Sequence, residues 1–430
     1  MINTDYYKGK NITVVGLARS GLACSNLLYT LGADVKVTDN NDTEITRRYA
    51  KSLISKKIKV ELGRHTQEFI KERDILVISP GVANNAAPVV WAQESGIPVI
   101  SEIEVAASLC SATIIAVTGS NGKTTVTILI GRILEESGKK VFVCGNIGKP
   151  FSQEVDKMEA EDFVSLEVSS FQLERIIDFK PKISVMLNFS ANHLDRYSNI
   201  REYLEAKSRV FINQDSTDYL VVNRDDPTLR ELSENANAGV VYFSKSAEFN
   251  PNQAAVLTVG SLLGVDKQAV LRVFEGFQGI EHRMEQVSRI DNITFINDSK
   301  STTVESAIWA LENINDPIIW IAGGKHKGVD YNSVLDLAKG KVKEVILIGE
   351  AAGIIEDVFR GSLSVRRADT LEEAVKEAHH KASAGDCILL SPMCSSFDMF
   401  LNYEERGRQF KQAVLRLAEA EAGDDAKSKV

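Results

Sequence analysis

Val117-Thr118-Gly119-Ser120-Asn121-Gly122-Lys123-Thr124-Thr125 is the stretch that decides the interpretation of this chain. It follows a strand-like run that begins at Thr113, and the apolar residues after it recur at helical spacing as far as Leu134. A strand that passes through a glycine-rich turn into a helix N-terminus predicts a phosphate cradle, because main-chain N–H groups and the helix dipole face the anion. Lys123 would reach the β- and γ-phosphates there, and the Thr124 hydroxyl would reach Mg²⁺.

The spacing of the glycines departs from the common P-loop. That pattern has four residues between its glycines, whereas only Ser120 and Asn121 separate Gly119 from Gly122. An ordinary glycine-rich turn between a strand and a helix is therefore the simplest alternative. The Lys-Thr-Thr that follows favours a nucleotide-binding loop over an ordinary turn. We therefore expect ATP to be bound by Gly119, Ser120, Asn121, Gly122, Lys123, Thr124 and Thr125.

Composition restricts the class of protein. A chain of 430 residues predicts two or three domains. The net charge of −9 argues against a nucleic-acid or membrane-binding surface, because such surfaces are basic. The five cysteines form no C-x-x-C pair, which favours a reducing cytoplasm over a disulfide framework or a zinc site. No apolar run reaches the roughly 18 residues of a membrane span.

The first hundred residues alternate strands, turns and helices. The strand Asn11–Val15 leads into a glycine turn, Gly16–Gly21, and the next strand ends at Asp39. An acid at that place binds ribose in dinucleotide folds, although Ala18 replaces the middle glycine of their fingerprint. Residues 1–100 are therefore predicted to be one α/β domain, and a nicotinamide cofactor is only weakly indicated.

Two further domains are predicted, at residues 101–280 and 281–430. The phosphate loop heads the first of them. The last contains four apolar strands, predicted at Thr294–Asn297, Ile318–Ala322, Glu344–Ile348 and Cys387–Leu390. The fold class is α/β with three domains: a Rossmann-like N-terminal domain, a P-loop-type ATP-binding central domain and a Rossmann-like C-terminal domain.

Three stretches carry a family resemblance: Glu167-Val168-Ser169-Ser170-Phe171-Gln172-Leu173, Asn297-Asp298-Ser299-Lys300 and Ser391-Pro392-Met393-Cys394-Ser395-Ser396-Phe397-Asp398. With T-G-x-x-G-K-T-T ahead of them, the chain resembles the Mur ligases, and within that family the group that adds D-glutamate. The match runs to Arg406-Gly407, nearly the whole chain. The resemblance implies a monomeric cytoplasmic enzyme of peptidoglycan synthesis.

The implied reaction is amide formation driven by ATP. The carboxylate of UDP-N-acetylmuramoyl-L-alanine becomes an acyl phosphate, and the D-glutamate amine attacks it to give a tetrahedral intermediate that expels phosphate. Such a site needs a phosphate cradle, divalent cations, positive charge and an amino-acid pocket. The implied cofactors are ATP, Mg²⁺ at two sites, and a carbamate formed on Lys207, which turns a cation into an anion that can hold Mg²⁺.

The resemblance also implies residue roles. The catalytic residues are Lys123, Glu167, His193, Lys207 and Lys300. The metal ligands are Thr124, Glu167, His193 and Lys207. Beyond the loop, ATP is contacted by Asn252, Arg283 and Asp298, and His282 pairs with Arg283 at the domain junction. The UDP-sugar positions are Ser20, Asn40, Asn41, Ser79 and Asn146. The D-glutamate positions are Thr302, Lys327, Ser396, Phe397 and Tyr403.

One departure from the family leaves alternatives open. The segment Lys245–Gln253 is shorter than usual and lacks the His-Asn turn beside adenine, which leaves Asn252, with Asn250 second, as the adenine contact. A non-catalytic or altered-specificity nucleotide-binding relative is therefore the alternative function. A dehydrogenase would leave Lys207 and Lys327 without roles. Folylpolyglutamate synthase shares the loop but requires neither the first domain nor the Ser-Ser-Phe-Gln stretch.

Overall fold

The computed structural model describes residues 4–190, 196–277, 279–326 and 328–428, with side chains described to residue 419. The chain forms two compact units, Met1–Phe277 and Gln278–Val430. The first unit contains two sheets and the second contains one. The α/β fold class predicted from the sequence is confirmed.

The first sheet is parallel, with strand order β3-β2-β1-β4-β5. Its strands are β1 (Asn11–Val15), β2 (Asp34–Asp39), β3 (Lys59–Leu62), β4 (Ile75–Ile78) and β5 (Val99–Ser101). The helices are α1 (Arg19–Thr30), α2 (Glu44–Lys51), α3 (Ala87–Glu94) and α4 (Glu102–Ala107). The turn after β1 needs a glycine, because Gly16 has φ +92° and a Cβ there would lie 2.9 Å from Ser79 Cβ.

The second sheet is also parallel, with order β11-β10-β9-β6-β8-β7. Its strands are β6 (Thr113–Thr118), β7 (Val141–Gly145), β8 (Phe163–Glu167), β9 (Ile183–Met186), β10 (Tyr219–Asn223) and β11 (Gly239–Phe243). The helices are α5 (Lys123–Glu136), α6 (Phe151–Glu154), α7 (Ser170–Leu173), α8 (Ile200–Ser208), α9 (Pro227–Ser233), α10 (Pro251–Leu262) and α11 (Lys267–Glu275).

The third sheet, in the second unit, has order β12-β13-β17-β14-β15-β16, and β12 is antiparallel to β13. Its strands are β12 (Glu285–Ile290), β13 (Ile293–Asn297), β14 (Ile318–Gly323), β15 (Val342–Ile348), β16 (Val365–Arg367) and β17 (Cys387–Leu390). The helices are α12 (Val304–Glu312), α13 (Leu335–Lys341), α14 (Ala352–Phe359), α15 (Leu371–Lys381) and α16 (Tyr403–Ser428). The four strands predicted from the sequence correspond to β13, β14, β15 and β17.

Burial of β6 on both faces explains its continuous apolar run. Ile115 and Val117 pack in a cluster with Ile130 of α5, whereas Ala116 faces the opposite side of the sheet. Ala116 belongs to a cluster that also contains Val14 of the first sheet. The first two sheets therefore share apolar core, and β6 holds the phosphate loop at its carboxyl end.

Candidate active site

The phosphate loop connects β6 to α5 with the backbone that the sequence predicts. Gly119 has φ +151° and Gly122, the residue that precedes α5, has φ +82°. A Cβ at Gly122 would lie 2.4 Å from Asn252 Oδ1, and one at Gly119 would lie 3.0 Å from Leu187 Cβ. The positive φ values favour glycine at both positions, and Asn252 lies directly against the loop.

The loop is braced by the segment that follows β9. Asn121 N–H donates to Asn188 Oδ1 at 2.8 Å, and Asn188 Nδ2 donates back to the Asn121 carbonyl at 3.1 Å. Ser120 Oγ accepts from Ser190 N–H at 2.9 Å. Sequence reasoning missed Asn188 and Ser190. They reach the loop because β9 pairs with β6, a neighbour relation that local motifs do not reveal.

The first residues of α5 face the loop. Lys123 Nζ donates to the carbonyls of Gly119 at 2.9 Å and Ser120 at 3.0 Å. Thr124 is buried and Thr125 is half-buried. The hydroxyl of Thr118, at the end of β6, is buried without a hydrogen-bond partner among the described residues. A lysine and threonine side chains therefore lie at a helix N-terminus, an arrangement that fits an anion.

Lys207 reaches the same loop from α8. Its Nζ donates to the Gly119 carbonyl at 2.9 Å, and the side chain is only 2% exposed. Burial lowers the pKa of Lys207 well below its usual value; the charge of Lys123 lowers it further, and Glu167 opposes the shift. The neutral amine is thereby favoured, and a neutral amine is the nucleophilic form.

Glu167 ends β8, the strand on one side of β6. Its Oε1 accepts from Asn146 Nδ2 at 2.8 Å, whereas Oε2 is buried without a partner in the described part of the chain. A buried carboxylate oxygen with no donor is costly unless a cation is bound. This carboxylate therefore fits a divalent cation. In the described ranges, at Glu167 or at any other position, no three His, Cys, Asp or Glu side chains cluster as a metal centre. The predicted ligand His193 lies outside the described residues.

The shortened segment joins β11 to α10 directly. Asn250 caps α10, since its Oδ1 accepts from Gln253 N–H at 3.0 Å and its own N–H donates to Gln253 Oε1 at 3.1 Å. This side chain is therefore engaged in the helix cap. Asn252 remains the residue of this segment that meets the loop.

Four of the predicted UDP-sugar residues lie after β1, β2 and β4 of the first sheet, whereas Asn146 follows β7 of the second sheet. Ser79 Oγ donates to the Gly16 carbonyl at 2.9 Å, so it ties the turn after β4 to the turn after β1. Ser20 is half-buried in the first turn of α1, while Asn40 and Asn41 are exposed. Asp39, the candidate ribose acid, accepts from the main-chain N–H of Leu17 at 2.6 Å. Asp39 therefore stabilises the glycine turn.

In the second unit, Asp298 follows β13 and is buried. Its Oδ2 accepts from Ser391 Oγ at 3.0 Å and its Oδ1 from Met284 N–H at 3.3 Å. Burial raises the pKa of Asp298 to about 6, while the Ser391 hydroxyl and the Arg283 charge act in the opposite direction. Asp298 and Ser391, from two of the quoted motifs, are thus in contact.

Arg406 connects the same motifs and was not assigned a role from the sequence. Its guanidinium is fully buried and donates to Ser299 Oγ at 3.0 Å, the Ser299 carbonyl at 2.8 Å and the Cys394 carbonyl at 3.1 Å. Burial lowers its pKa to about 10. A buried arginine at the start of α16 therefore holds the two loops together.

His282 takes a strained backbone beside this cluster, with φ +65°. Its Nδ1 accepts from Asn297 Nδ2 at 2.9 Å, and burial lowers its pKa. The His282 ring packs directly against Gly407, because a Cβ at Gly407 would lie 2.2 Å from His282 Nδ1. The neighbouring Arg283 is half-buried and lowers the pKa of Asp298 by its charge.

Four of the five predicted D-glutamate residues are among the described residues: Thr302, Ser396, Phe397 and Tyr403. Lys300 Nζ lies 5.6 Å from the centre of the Tyr403 ring, and the Tyr403 carbonyl accepts from Ser299 Oγ at 2.8 Å. Ser396 is buried, Thr302 is half-buried and Phe397 is 55% exposed. Lys327 lies outside the described residues.

Comparison with known proteins identifies the family of the chain. Family models described as Mur ligase MurD-like N-terminal domain, Mur ligase middle domain and Mur ligase glutamate ligase domain match residues 10–101, 117–269 and 282–394. The UDP-N-acetylmuramoylalanine–D-glutamate ligase of Geotalea uraniireducens is 41% identical over 442 residues, covering 95% of this chain and 98% of the relative.

The chain belongs to the Mur ligase family. Solved structures agree on the fold. The UDP-N-acetylmuramate-alanine ligase MurC of Thermotoga maritima has a TM-score of 0.61 at 19% identity, covering 95% of this chain and 99% of that one. MurF ligase of the same organism, in complex with ADP, has a TM-score of 0.54 at 15% identity, covering 97% and 98%. The predicted family is confirmed, and the alternative of a non-catalytic relative is not favoured.

In the part of the chain that the structure describes, no helix is both long and apolar enough to cross a membrane.

Proposed function

We propose that this chain is an ATP-dependent ligase that joins D-glutamate to UDP-N-acetylmuramoyl-L-alanine in peptidoglycan synthesis. The observation that carries the proposal is the contact of Lys207 Nζ with the Gly119 carbonyl at 2.9 Å, beside the buried carboxylate of Glu167. A nucleotide switch needs the loop alone. A ligase needs a second charged group at the loop, because it must transfer a phosphoryl group to an acceptor carboxylate.

The chemistry follows from the residues at the loop. The substrate carboxylate attacks the γ-phosphorus of ATP, and ADP leaves with the bond between the β–γ bridging oxygen and the γ-phosphorus broken. The loop N–H groups and Lys123 stabilise the charge on the transferring phosphoryl group. The amine of D-glutamate then attacks the acyl carbon, and the tetrahedral intermediate expels phosphate as the amide forms.

Mg²⁺ is proposed to be held by Thr124, Glu167 and a carbamate on Lys207, with His193 as a further ligand. When bound, it neutralises phosphate charge. The fit rests on the unpartnered Glu167 Oε2 and on burial of Lys207, which favours the amine form that reacts with CO₂. Asn146 holds the other oxygen of Glu167 and fixes the orientation of the carboxylate.

Substrate assignments follow the three predicted domains, residues 1–100, 101–280 and 281–430. The UDP-sugar is assigned to Ser20, Asn40, Asn41, Ser79 and Asn146, and adenine to Asn252. Arg283, Asp298 and Lys300 are assigned to ATP and the reaction centre. D-Glutamate is assigned to Thr302, Lys327, Ser396, Phe397 and Tyr403. We further propose a monomer in the cytoplasm.

The proposal is tested by phosphate release from ATP, with UDP-N-acetylmuramoyl-L-alanine, D-glutamate and Mg²⁺ each omitted in turn. We expect sustained release only in the complete mixture, together with ADP and a product one glutamate heavier. L-Glutamate in place of the D-isomer should give little product. Release that is independent of D-glutamate would instead favour a nucleotide-hydrolysing relative.

A further inference from the structure

Arg196 has no role in the proposed reaction, but its hydrogen bonds link two sheets of the first unit. Its Nη1 donates to the Pro80 carbonyl at 2.9 Å and its Nη2 to the Val82 carbonyl at 3.0 Å. Both carbonyls belong to the turn after β4, which carries Ser79. Arg196 itself belongs to the segment between β9 and α8. One guanidinium thus joins the predicted UDP-sugar domain to the ATP-binding domain.

Glu174 completes the connection from the end of α7. Its Oε2 accepts from Arg196 Nη2 at 3.0 Å and from Asn84 Nδ2 at 2.7 Å, while Oε1 accepts from Tyr197 O–H at 2.6 Å. The side chains of Arg196 and Glu174 are 15% and 7% exposed. Such a buried pair restricts the orientation of both side chains more strongly than a surface ion pair does.

Further contacts reinforce the pair. The Arg196 guanidinium lies 4.2 Å from the centre of the Phe171 ring. Asn84 also accepts from Arg175 Nε at 2.8 Å, so its side chain is held by two residues of the central domain, Glu174 and Arg175. Planar, branched donors suit this arrangement because a lysine could not reach two carbonyls and a carboxylate in one plane.

We infer that Arg196 and Glu174 are positioning residues that fix the turn carrying Ser79 relative to the phosphate loop, and thereby place the UDP-sugar carboxylate for attack on the γ-phosphorus. The inference rests on the proposed ligase function. It follows because the turn and the loop belong to different sheets, while in-line transfer tolerates displacements of well under 1 Å.

The test is steady-state kinetics and calorimetry on Arg196→Lys. We expect the KM and the Kd for UDP-N-acetylmuramoyl-L-alanine to rise about tenfold, which corresponds to about 1.4 kcal/mol, with a fall in kcat. The KM values for ATP and D-glutamate should stay within twofold of wild type. A purely structural role would reduce the active fraction and kcat without separating the three KM values.

Arg209→Lys is the matched control. Arg209 donates to the carbonyls of Leu173 at 2.8 Å and Ile176 at 2.6 Å, which both lie in the central domain. Its replacement should lower stability and leave the UDP-sugar KM unchanged. Equal effects of the two lysine variants on that KM would overturn the inference.

A second variant keeps the test decisive if Arg196→Lys fails to fold. Asn84 is exposed, so Asn84→Ala should fold, and loss of its bonds to Glu174 and Arg175 should raise the UDP-sugar KM at least threefold. Asn85→Ala, at the adjacent exposed position, should not. A smaller change in Asn84→Ala would count against the inference. If the wild type is active and the variants keep its UDP-sugar KM, only the positioning role is overturned. If the wild type neither binds nor uses the UDP-sugar, the proposed function is overturned as well.

Discussion

Lys207 Nζ and the Gly119 carbonyl are 2.9 Å apart, so a helix lysine and the phosphate loop are joined across 88 residues of sequence. This contact places an amine with a lowered pKa beside Lys123 and Glu167. An ordinary ammonium here would repel a divalent cation, whereas a carbamate would bind one.

Lys207→Ala should lose ligase activity and recover part of it when acetate is added, because a small carboxylate can replace the proposed carbamate. Lys207→Arg should not recover, since the cation remains. The measurement is phosphate release with and without acetate. Wild-type activity of Lys207→Ala without any additive would remove this residue from the mechanism.

Lys123→Ala should retain the fold and lose about 10²–10³-fold in kcat, the usual effect of removing one preorganised donor to a transition state. The matched control is Lys267→Ala. Lys267 is also the first residue of a helix, α11, but it is exposed and follows no phosphate loop. Circular dichroism establishes folding, and turnover assays compare the two. Equal activity of both variants would contradict the phosphate assignment.

Gly122→Ala should raise the KM for ATP at least tenfold, because φ +82° strains an alanine by about 1–3 kcal/mol and its Cβ would meet Asn252 Oδ1 at 2.4 Å. Gly138→Ala is the control at the other end of α5. It has φ +73° and nothing within 4 Å. It should lower stability while leaving the KM for ATP unchanged. A normal KM in Gly122→Ala would show that the loop can adapt.

Local features of the fold could be predicted from the sequence, whereas contacts between distant segments could not. The strand that the sequence predicts from Thr113 is β6 (Thr113–Thr118), and it is predictable because an apolar run followed by glycines is a local pattern. The bracing residues Asn188 and Ser190 could not be predicted, because they meet the loop only through the strand order β9-β6. Arg406 was also missed, since a single arginine carries no periodicity and its role appears only once its three acceptors are gathered.

Asp298 predicts a pH dependence of stability. Burial raises its folded pKa to about 6, above its unfolded value, so the folded state binds more protons between about pH 4 and 6. The contribution of Asp298 to the free energy of unfolding is therefore most favourable below about pH 4 and is lost as the pH rises through about 6. Asn does not titrate, so the difference in free energy of unfolding between Asp298→Asn and wild type should shift by about 2–3 kcal/mol in favour of the variant from pH 4 to pH 7.

Denaturant titrations at several pH values measure this difference, and Asp336→Asn, at a highly exposed position of α13, is the control. Parallel stability curves for wild type and Asp298→Asn would contradict the raised pKa.

The most direct test of the proposed ligase follows oxygen from substrate to phosphate. UDP-N-acetylmuramoyl-L-alanine labelled with ¹⁸O in both carboxylate oxygens is incubated with ATP, Mg²⁺, D-glutamate and the enzyme, and the products are weighed by mass spectrometry. Acyl-phosphate chemistry predicts one ¹⁸O in the released phosphate and one in the new amide, with ADP as the nucleotide product. Unlabelled phosphate, or label recovered in AMP, would contradict the account.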